Sequence, residues 1–433
     1  MKNPIAYFII LFALLQWGCA TTPKGFTISK LADQIHASPA FAQNHTGMAL
    51  YDMSEDKMIF QQNAERYFTP ASNTKLYTFF SSLKTLGDSI PALKYIQKGD
   101  SLIFWGTGDP SFLHPDLKST RAYDFLKNRK EKLFYSNAND AVIFYGSGWT
   151  WNDYNDYYQA EISAFPVYGN IVRFTGNLQS KLQTSPNYFQ KNNTQKADLK
   201  EVERAIQDNS FAVPVSVKPT YEQDVPFKTS AELTQKLLED TLHKTVTLLN
   251  YALPKQAKIL YSLPVDSVYT RMLHVSDNML AEQLMVLCSG ILGEKLNTTS
   301  GIDNAIQQYM TDLPDSPKWV DGSGLSRYNL FTPRTTVQLL RKIYAIVPQE
   351  RLFSLLAAGG KSGTIRNMNK DEAEPYIFAK SGSLSNNYSL SGYLRTKSGK
   401  MLIFSLMNNN FVKPASEIRK EVERFLQLIH ANY

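Results

Sequence analysis

Dense apolar runs at the two ends of the chain, with a sparser aromatic stretch between them, set the first expectations. Residues 46–61, TGMALYDMSEDKMIFQ, place apolar positions on both sides of a Ser-Glu-Asp-Lys turn, which predicts a hairpin. From Ser72 the period changes. Leu76, Phe79, Phe80 and Leu83 recur at spacings of three and four, so a helix is predicted with Ser72 in its first turn. Residues 389–410, SLSGYLRTKSGKMLIFSLMNNN, predict a second hairpin turning near Lys397–Lys400, and Ile418, Val422, Phe425 and Ile429 line one face of a final helix. Strands at both ends with helices between them predict an α+β fold, its antiparallel sheet assembled from both termini and flanked by helices.

The middle reads differently. Residues 148–165, GWTWNDYNDYYQAEISAF, are rich in Tyr and Trp, and short strand-like runs there are punctuated by Gly, Asn and Pro. A β-rich inserted region over 96–255 is expected, dividing the core into 19–95 and 256–433. No 20–50-residue repeat, CxxC, HExxH or low-complexity linker is present, so no metal or cofactor is expected.

The chain opens MKNPIAYFIILFALLQWGCATTPKG. Its apolar run from Ile5 to Trp17 is short for a membrane span and fits an export signal over residues 1–18. Two processing outcomes compete, cleavage after Ala20 or lipidation of Cys19, and either predicts an exported, periplasmic protein, membrane-tethered in the second case. The only other cysteine, Cys288, reads as a small packed apolar residue. The formal net charge of +7 is spread along 433 residues with no dense Lys/Arg run among aromatics, which excludes a nucleic-acid footprint.

Three short pieces carry chemistry: Ser72-Asn73-Thr74-Lys75, Ser276-Asp277-Asn278 and Lys380-Ser381-Gly382-Ser383. Singly each is ordinary, since Ser72 reads as a helix cap with a solvated Lys75, and Ser276-Asp277 as a cap before an apolar helix. In this order they form the signature shared by penicillin-binding proteins and class A β-lactamases. The spacing has a reason. A serine hydroxyl needs an adjacent base, and a lysine three residues on lies on the same helix face. Lysine becomes a base only if its pKa falls, through burial or a second cation, for which Lys380 is the candidate. Ser276 is placed to pass a proton to the leaving amine and Asn278 to hold the substrate peptide. Backbone N–H groups of Ser72 and Ser383 are expected to form the oxyanion hole, and the Ser381 and Ser383 hydroxyls, backed by Lys380, to grip a free carboxylate.

A second Lys-Ser-Gly occurs in Gly359-Gly360-Lys361-Ser362-Gly363-Thr364. It also imitates a phosphate loop, but position 355 is Leu where that pattern requires Gly. Lys380 is preferred because Tyr376-Ile377-Phe378-Ala379 reads as a strand running into it and a hairpin partner follows.

With FTPASNTKLYT, SDNMLAEQL, DGSGLSRYN (Asp321–Asn329), FAKSGSLSNNYSLSGYL, GTGDPSF (Gly106–Phe112) and GWTWNDY (Gly148–Tyr154), most of the mature chain resembles the D-alanyl-D-alanine carboxypeptidase/endopeptidase family, the class-C low-molecular-mass penicillin-binding proteins. The resemblance implies a β-lactamase/transpeptidase-like core with one or two domains inserted between the first and second motifs. It also implies a serine carboxypeptidase, with endopeptidase activity as a second capacity, acting on peptidoglycan stem peptides ending in D-Ala-D-Ala and acylated by β-lactam antibiotics. By motif, Ser72 is the nucleophile, Lys75 its base, Ser276 and Asn278 the second motif, and Lys380, Ser381, Gly382 and Ser383 the third. Ser381 stands where the family more usually has Thr, which keeps the hydroxyl, and the insert is short. A serine β-lactamase shares the motifs but needs a separate deacylating element that no segment here matches. A non-catalytic penicillin sensor or wall-binding protein is the reading from another class. A Ser-His-Asp hydrolase is disfavoured by the lack of GxSxG.

Overall fold

The computed structural model describes residues 28–293 and 295–433. The export signal and Cys19 lie outside them. Both terminal hairpins form and join one six-stranded sheet in the order Ala357–Ala358, Ile377–Leu384, Asn387–Arg395, Met401–Asn409, His45–Asp52 and Lys57–Gln62. All neighbours are antiparallel, and His45–Asp52 pairs residue for residue with Met401–Asn409, so the two chain ends meet mid-sheet.

Side-chain alternation divides the central strands between two cores. Tyr393, Ile403 and Met407 face the larger, beside Tyr77, Phe79 and Leu284. Leu402, Phe404 and Leu406 face the other, where the helix Ala415–Asn432 lays down Ile418, Val422, Phe425 and Ile429, all fully buried. Covered on both faces, these strands carry near-continuous apolar runs. The helix Asn278–Ile291 is buried nearly all round because helices Thr74–Thr85, Val265–His274 and Thr298–Tyr309 surround it. Cys288 lies within it as a buried free thiol.

Between the helix Thr74–Thr85 and Val265 the chain builds a five-stranded sheet in the order Val246–Leu249, Lys132–Ser136, Ser101–Gly106, Ser89–Lys98 and Lys258–Pro264. Position 96 falls inside the strand Ser89–Lys98, whose antiparallel partner Lys258–Pro264 returns the chain to the core, so the two crossings lie side by side. Two three-stranded sheets, centred on Ile171–Gly176 and Phe211–Pro214, share a core with this sheet through Phe104, Phe165, Phe174 and Phe211. The segment is not purely β. The helix Ala231–Leu242, capped by Ser230, packs Leu237, Leu238 and Leu242 into the same core. Among the described residues no helix is long and apolar enough to cross a membrane.

Candidate active site

The turn that presents Ser72 begins with Ala71 in the left-handed region at φ +49°. The helix expected at Ser72 therefore opens as a single 3-10 turn over Ala71–Asn73, and the α-helix follows over Thr74–Thr85. Two glycines make room for it. A Cβ on Gly324 would stand 1.9 Å from the Ala71 carbonyl oxygen, and one on Gly382 would stand 2.5 Å from that of Pro70 and 2.8 Å from the Ser72 nitrogen. Strand Ile377–Leu384 thus lies directly against the nucleophile turn, and the Asn73 amide clamps the two by donating to the Lys380 carbonyl at 3.0 Å.

Lys75 is completely buried. Its Nζ lies 3.0 Å from Ser72 Oγ, 2.6 Å from Asn278 Oδ1 and 2.7 Å from the Ser323 carbonyl oxygen. Burial lowers its pKa to about 8 against the pull of Asp321, Glu282 and Asp277. The three neighbours decide what a neutral Lys75 does. Asn278 Oδ1 and the Ser323 carbonyl only accept, so they take both amine hydrogens and the lone pair is left facing the Ser72 hydroxyl.

Lys380 Nζ donates to Ser276 Oγ at 2.9 Å and to the Ser381 carbonyl at 2.7 Å. Burial and then the Lys75 charge hold its pKa well below the usual ammonium range. Both lysines are thus held below the ordinary ammonium range, chiefly by burial.

Ser276 is held at φ +64°, a strained conformation for a serine. Its neighbour Asp277 caps the following helix through the Leu280 N–H at 3.1 Å and accepts from Arg271 at 3.0 Å, while Arg271 also reaches Asp116 of the intervening segment at 2.8 Å. Asn278 Nδ2 donates to the Tyr158 carbonyl at 3.0 Å. Its Oδ1 thereby orients Lys75, while one of the two Nδ2 hydrogens is left unused by the hydrogen bonds of the described residues on a side chain that lines the cleft.

Strand Ile377–Leu384 is paired by Ala357–Ala358 only as far as Ala379, and its edge is open beyond. Because the Ile377 carbonyl accepts from Gly359 on that side, alternation turns the backbone groups of Ser381 and Ser383 to the open edge. The Ser383 hydroxyl accepts from Arg419 at 3.3 Å, and the Ser381 hydroxyl donates to Thr364 Oγ1 at 2.6 Å. Lys361, in the second Lys-Ser-Gly, is exposed and lies in the turn leaving the edge strand, apart from Ser276.

Sequence reasoning assigned no role to DGSGLSR, and the reason for it is now visible. Asp321, fully buried, accepts from the Gly324 and Ser326 N–H groups, from Asn329 and from the Trp149 indole, which arrives from the intervening segment. Glu282 accepts the Gly322 and Ser323 N–H groups at 3.0 and 2.8 Å, and burial and Asp321 push its pKa up. Together they fix the Ser323 carbonyl that Lys75 faces. Glu282 had a signal in the sequence, since it lies one helical turn beyond Asn278 within SDNMLAEQL.

Ser72, Ser276, Asn278, Ser381 and Ser383 line a cleft of about 1120 Å³ whose lining also carries Asp153, Tyr157 and Tyr158 and a charged shelf of Asp116, Arg173 and Asp224. Among the described residues no group of three or more His, Cys, Asp or Glu side chains is placed to hold a metal ion.

Residues 28–429 match the family described as D-Ala-D-Ala carboxypeptidase 3 (S13). The chain is 23% identical over 417 residues to the D-alanyl-D-alanine carboxypeptidase DacB of Haemophilus influenzae, covering 85% of this chain and 86% of that one. To a D-alanyl-D-alanine carboxypeptidase of Actinomadura sp. it is 24% identical over 458 residues, covering 90% and 83%. Among solved structures, penicillin binding protein 4 (dacB) of Haemophilus influenzae matches with a TM-score of 0.71 at 18% identity, covering 93% of this chain and 98% of that one. A predatory peptidoglycan endopeptidase of Bdellovibrio bacteriovorus matches with a TM-score of 0.54 at 15% identity, covering 90% and 94%. At such identities the solved structures carry the α+β fold alone, whereas the family match spans nearly every described residue: the chain belongs to the D-Ala-D-Ala carboxypeptidase 3 (S13) family.

Proposed function

We propose that this chain, a serine-type D-Ala-D-Ala carboxypeptidase and penicillin-binding hydrolase, works through an acyl-enzyme on Ser72. The observation that carries the assignment is the buried Lys75, whose contacts leave its lone pair for the Ser72 hydroxyl. Neutral Lys75 takes the hydroxyl proton as Ser72 Oγ attacks the carbonyl of the penultimate D-Ala. The oxyanion is received by the backbone N–H of Ser72 and that of Ser383 on the open edge. Collapse expels the terminal D-Ala, and the proton that Lys75 took passes through the Ser276 hydroxyl, held in place by Lys380, to the leaving amine, which returns Lys75 to its neutral form. Asn278 keeps Lys75 oriented, Gly382 permits the close approach of the edge strand, and Ser381 takes the substrate's terminal carboxylate. Water then hydrolyses the ester on Ser72.

The breadth of the cleft and its wall from the intervening segment favour endopeptidase action on D-Ala cross-links as a second capacity of the same residues. We also take the chain to be exported and periplasmic, tethered at Cys19 if that residue is lipidated, with a core of residues 19–95 and 256–433 interrupted by the insert of 96–255.

The test is release of D-alanine from a peptide ending in D-Ala-D-Ala. Wild type is expected to release it, and Ser72→Ala to lose release while keeping its melting temperature. Near wild-type release by Ser72→Ala would overturn the nucleophile assignment.

A further inference from the structure

The second Lys-Ser-Gly run is left without a task by the mechanism, yet it folds against the third motif. After Ala357–Ala358 the chain turns, the Ser362 hydroxyl accepts the Ala358 N–H at 3.0 Å, and a 3-10 turn covers Gly363–Ile365. Gly363, at φ +63°, is wedged in place: a Cβ there would meet that of Ala357 at 2.6 Å and the His274 carbonyl oxygen at 2.8 Å. The turn is therefore held between the sheet edge and the end of the helix that leads to Ser276. Its next residue, Thr364, lines the cleft where the edge of Ile377–Leu384 becomes free, and its Oγ1 accepts the Ser381 hydroxyl at 2.6 Å.

That bond has a chemical consequence. A hydroxyl has one hydrogen to give. If Ser381 gives its own to Thr364, the Thr364 hydrogen is left over, and no acceptor for it occurs among the hydrogen bonds of the described residues. The free hydrogen stands beside Ser381, next along the chain from Lys380, on the side where the released residue must sit. A carboxylate has two oxygens to be satisfied and takes two donors side by side.

We infer that Thr364 is a substrate-binding residue that pairs with Ser381 to grip the α-carboxylate of the residue being released, and so helps set the preference for a free acid. This rests on the reading that Ser381 receives that carboxylate. The hydroxyl pair bonds to itself when no anion is present. When the carboxylate arrives, both hydroxyls turn to donate, one to each oxygen. Where the cross-linking amine itself sits beside an α-carboxylate, the same pair would serve endopeptidase cleavage.

The test compares a peptide ending in D-Ala-D-Ala with its C-terminal amide, on wild type, Thr364→Val and Thr364→Ser, reading kcat/KM for D-Ala or D-Ala-amide release. Wild type is expected to prefer the acid, Thr364→Val to lower that preference by about tenfold or more, and Thr364→Ser to stay within about threefold of wild type. A Thr364→Val variant whose preference is unchanged, whether both rates fall together or neither falls, overturns the inference, because a propping role cannot tell acid from amide. A wild type that does not prefer the acid overturns it too, by removing the carboxylate site. Failure of the acyl-enzyme reading is seen separately, as the lack of a benzylpenicillin adduct on wild-type Ser72.

Discussion

The pH dependence of acylation follows from the burial of Lys75. With its pKa lowered to about 8, about a tenth of the molecules hold a neutral base at pH 7, about half at pH 8 and about nine-tenths at pH 9. The second-order rate of Ser72 acylation by a β-lactam should therefore rise about tenfold between pH 7 and 9 and level off above. A lysine with an ordinary pKa would give a rise of about a hundredfold over the same span, with no plateau. The groups facing Lys75 also fix the sign of a second perturbation. Asp321, Glu282 and Asp277 raise its pKa against burial. Asp277→Asn keeps a helix-capping side chain but removes one negative charge, so the midpoint should move below that of wild type. The assay is quenched mixing with benzylpenicillin from pH 6 to 10, followed by intact mass. A flat profile across pH 6–9, or a midpoint above pH 10, would refute Lys75 as the base.

Two further substitutions probe the packing of the site. Gly382→Ala should force the edge strand off the Ser72 turn, costing about 1–3 kcal/mol of stability and most of the acylation rate; thermal melting and adduct formation measure the two, and a wild-type rate would show that the close approach is unnecessary. Lys361→Ala should leave D-alanine release within about twofold of wild type, as expected of an exposed surface lysine, while Lys380→Ala should lower it by about a hundredfold or more. The reverse order would show that the motif was assigned to the wrong lysine.

What the sequence made legible was whatever is governed by local periodicity. The mid-sheet strands are covered on both faces, so their runs from Ser389 and Met401 stand out, and Ile418, Val422, Phe425 and Ile429 betray the helix that covers one face. Lys380 was separable from Lys361 because a strand pattern runs into it. The start of the nucleophile helix was misplaced by two residues, since propensity does not register the left-handed Ala71 that the neighbouring loop and edge strand enforce. The helix Ala231–Leu242 was passed over although Ser230 and the spacing of Leu237, Leu238 and Leu242 carry its signal; the aromatic bias of the surrounding segment outweighed them. Contacts across long separations were not legible at all. Trp149 to Asp321, Asn278 to Tyr158, Arg271 to Asp116 and Ser381 to Thr364 join residues whose pairing depends on how the intervening segment and the edge turn fold back over the core. The same holds for the partners of Lys75. Its base character was inferred from the spacing to Ser72, but the Ser323 carbonyl that directs its lone pair could come only from the fold.

The central claim is that Ser72 is the acylated residue. Purified protein beginning at residue 20 is mixed with benzylpenicillin, intact mass and remaining antibiotic are followed together, and the adduct is mapped by peptide digestion. The account predicts one penicilloyl group per molecule, located on Ser72, with little antibiotic consumed. An adduct on any other residue, or rapid antibiotic loss with no adduct, would contradict it.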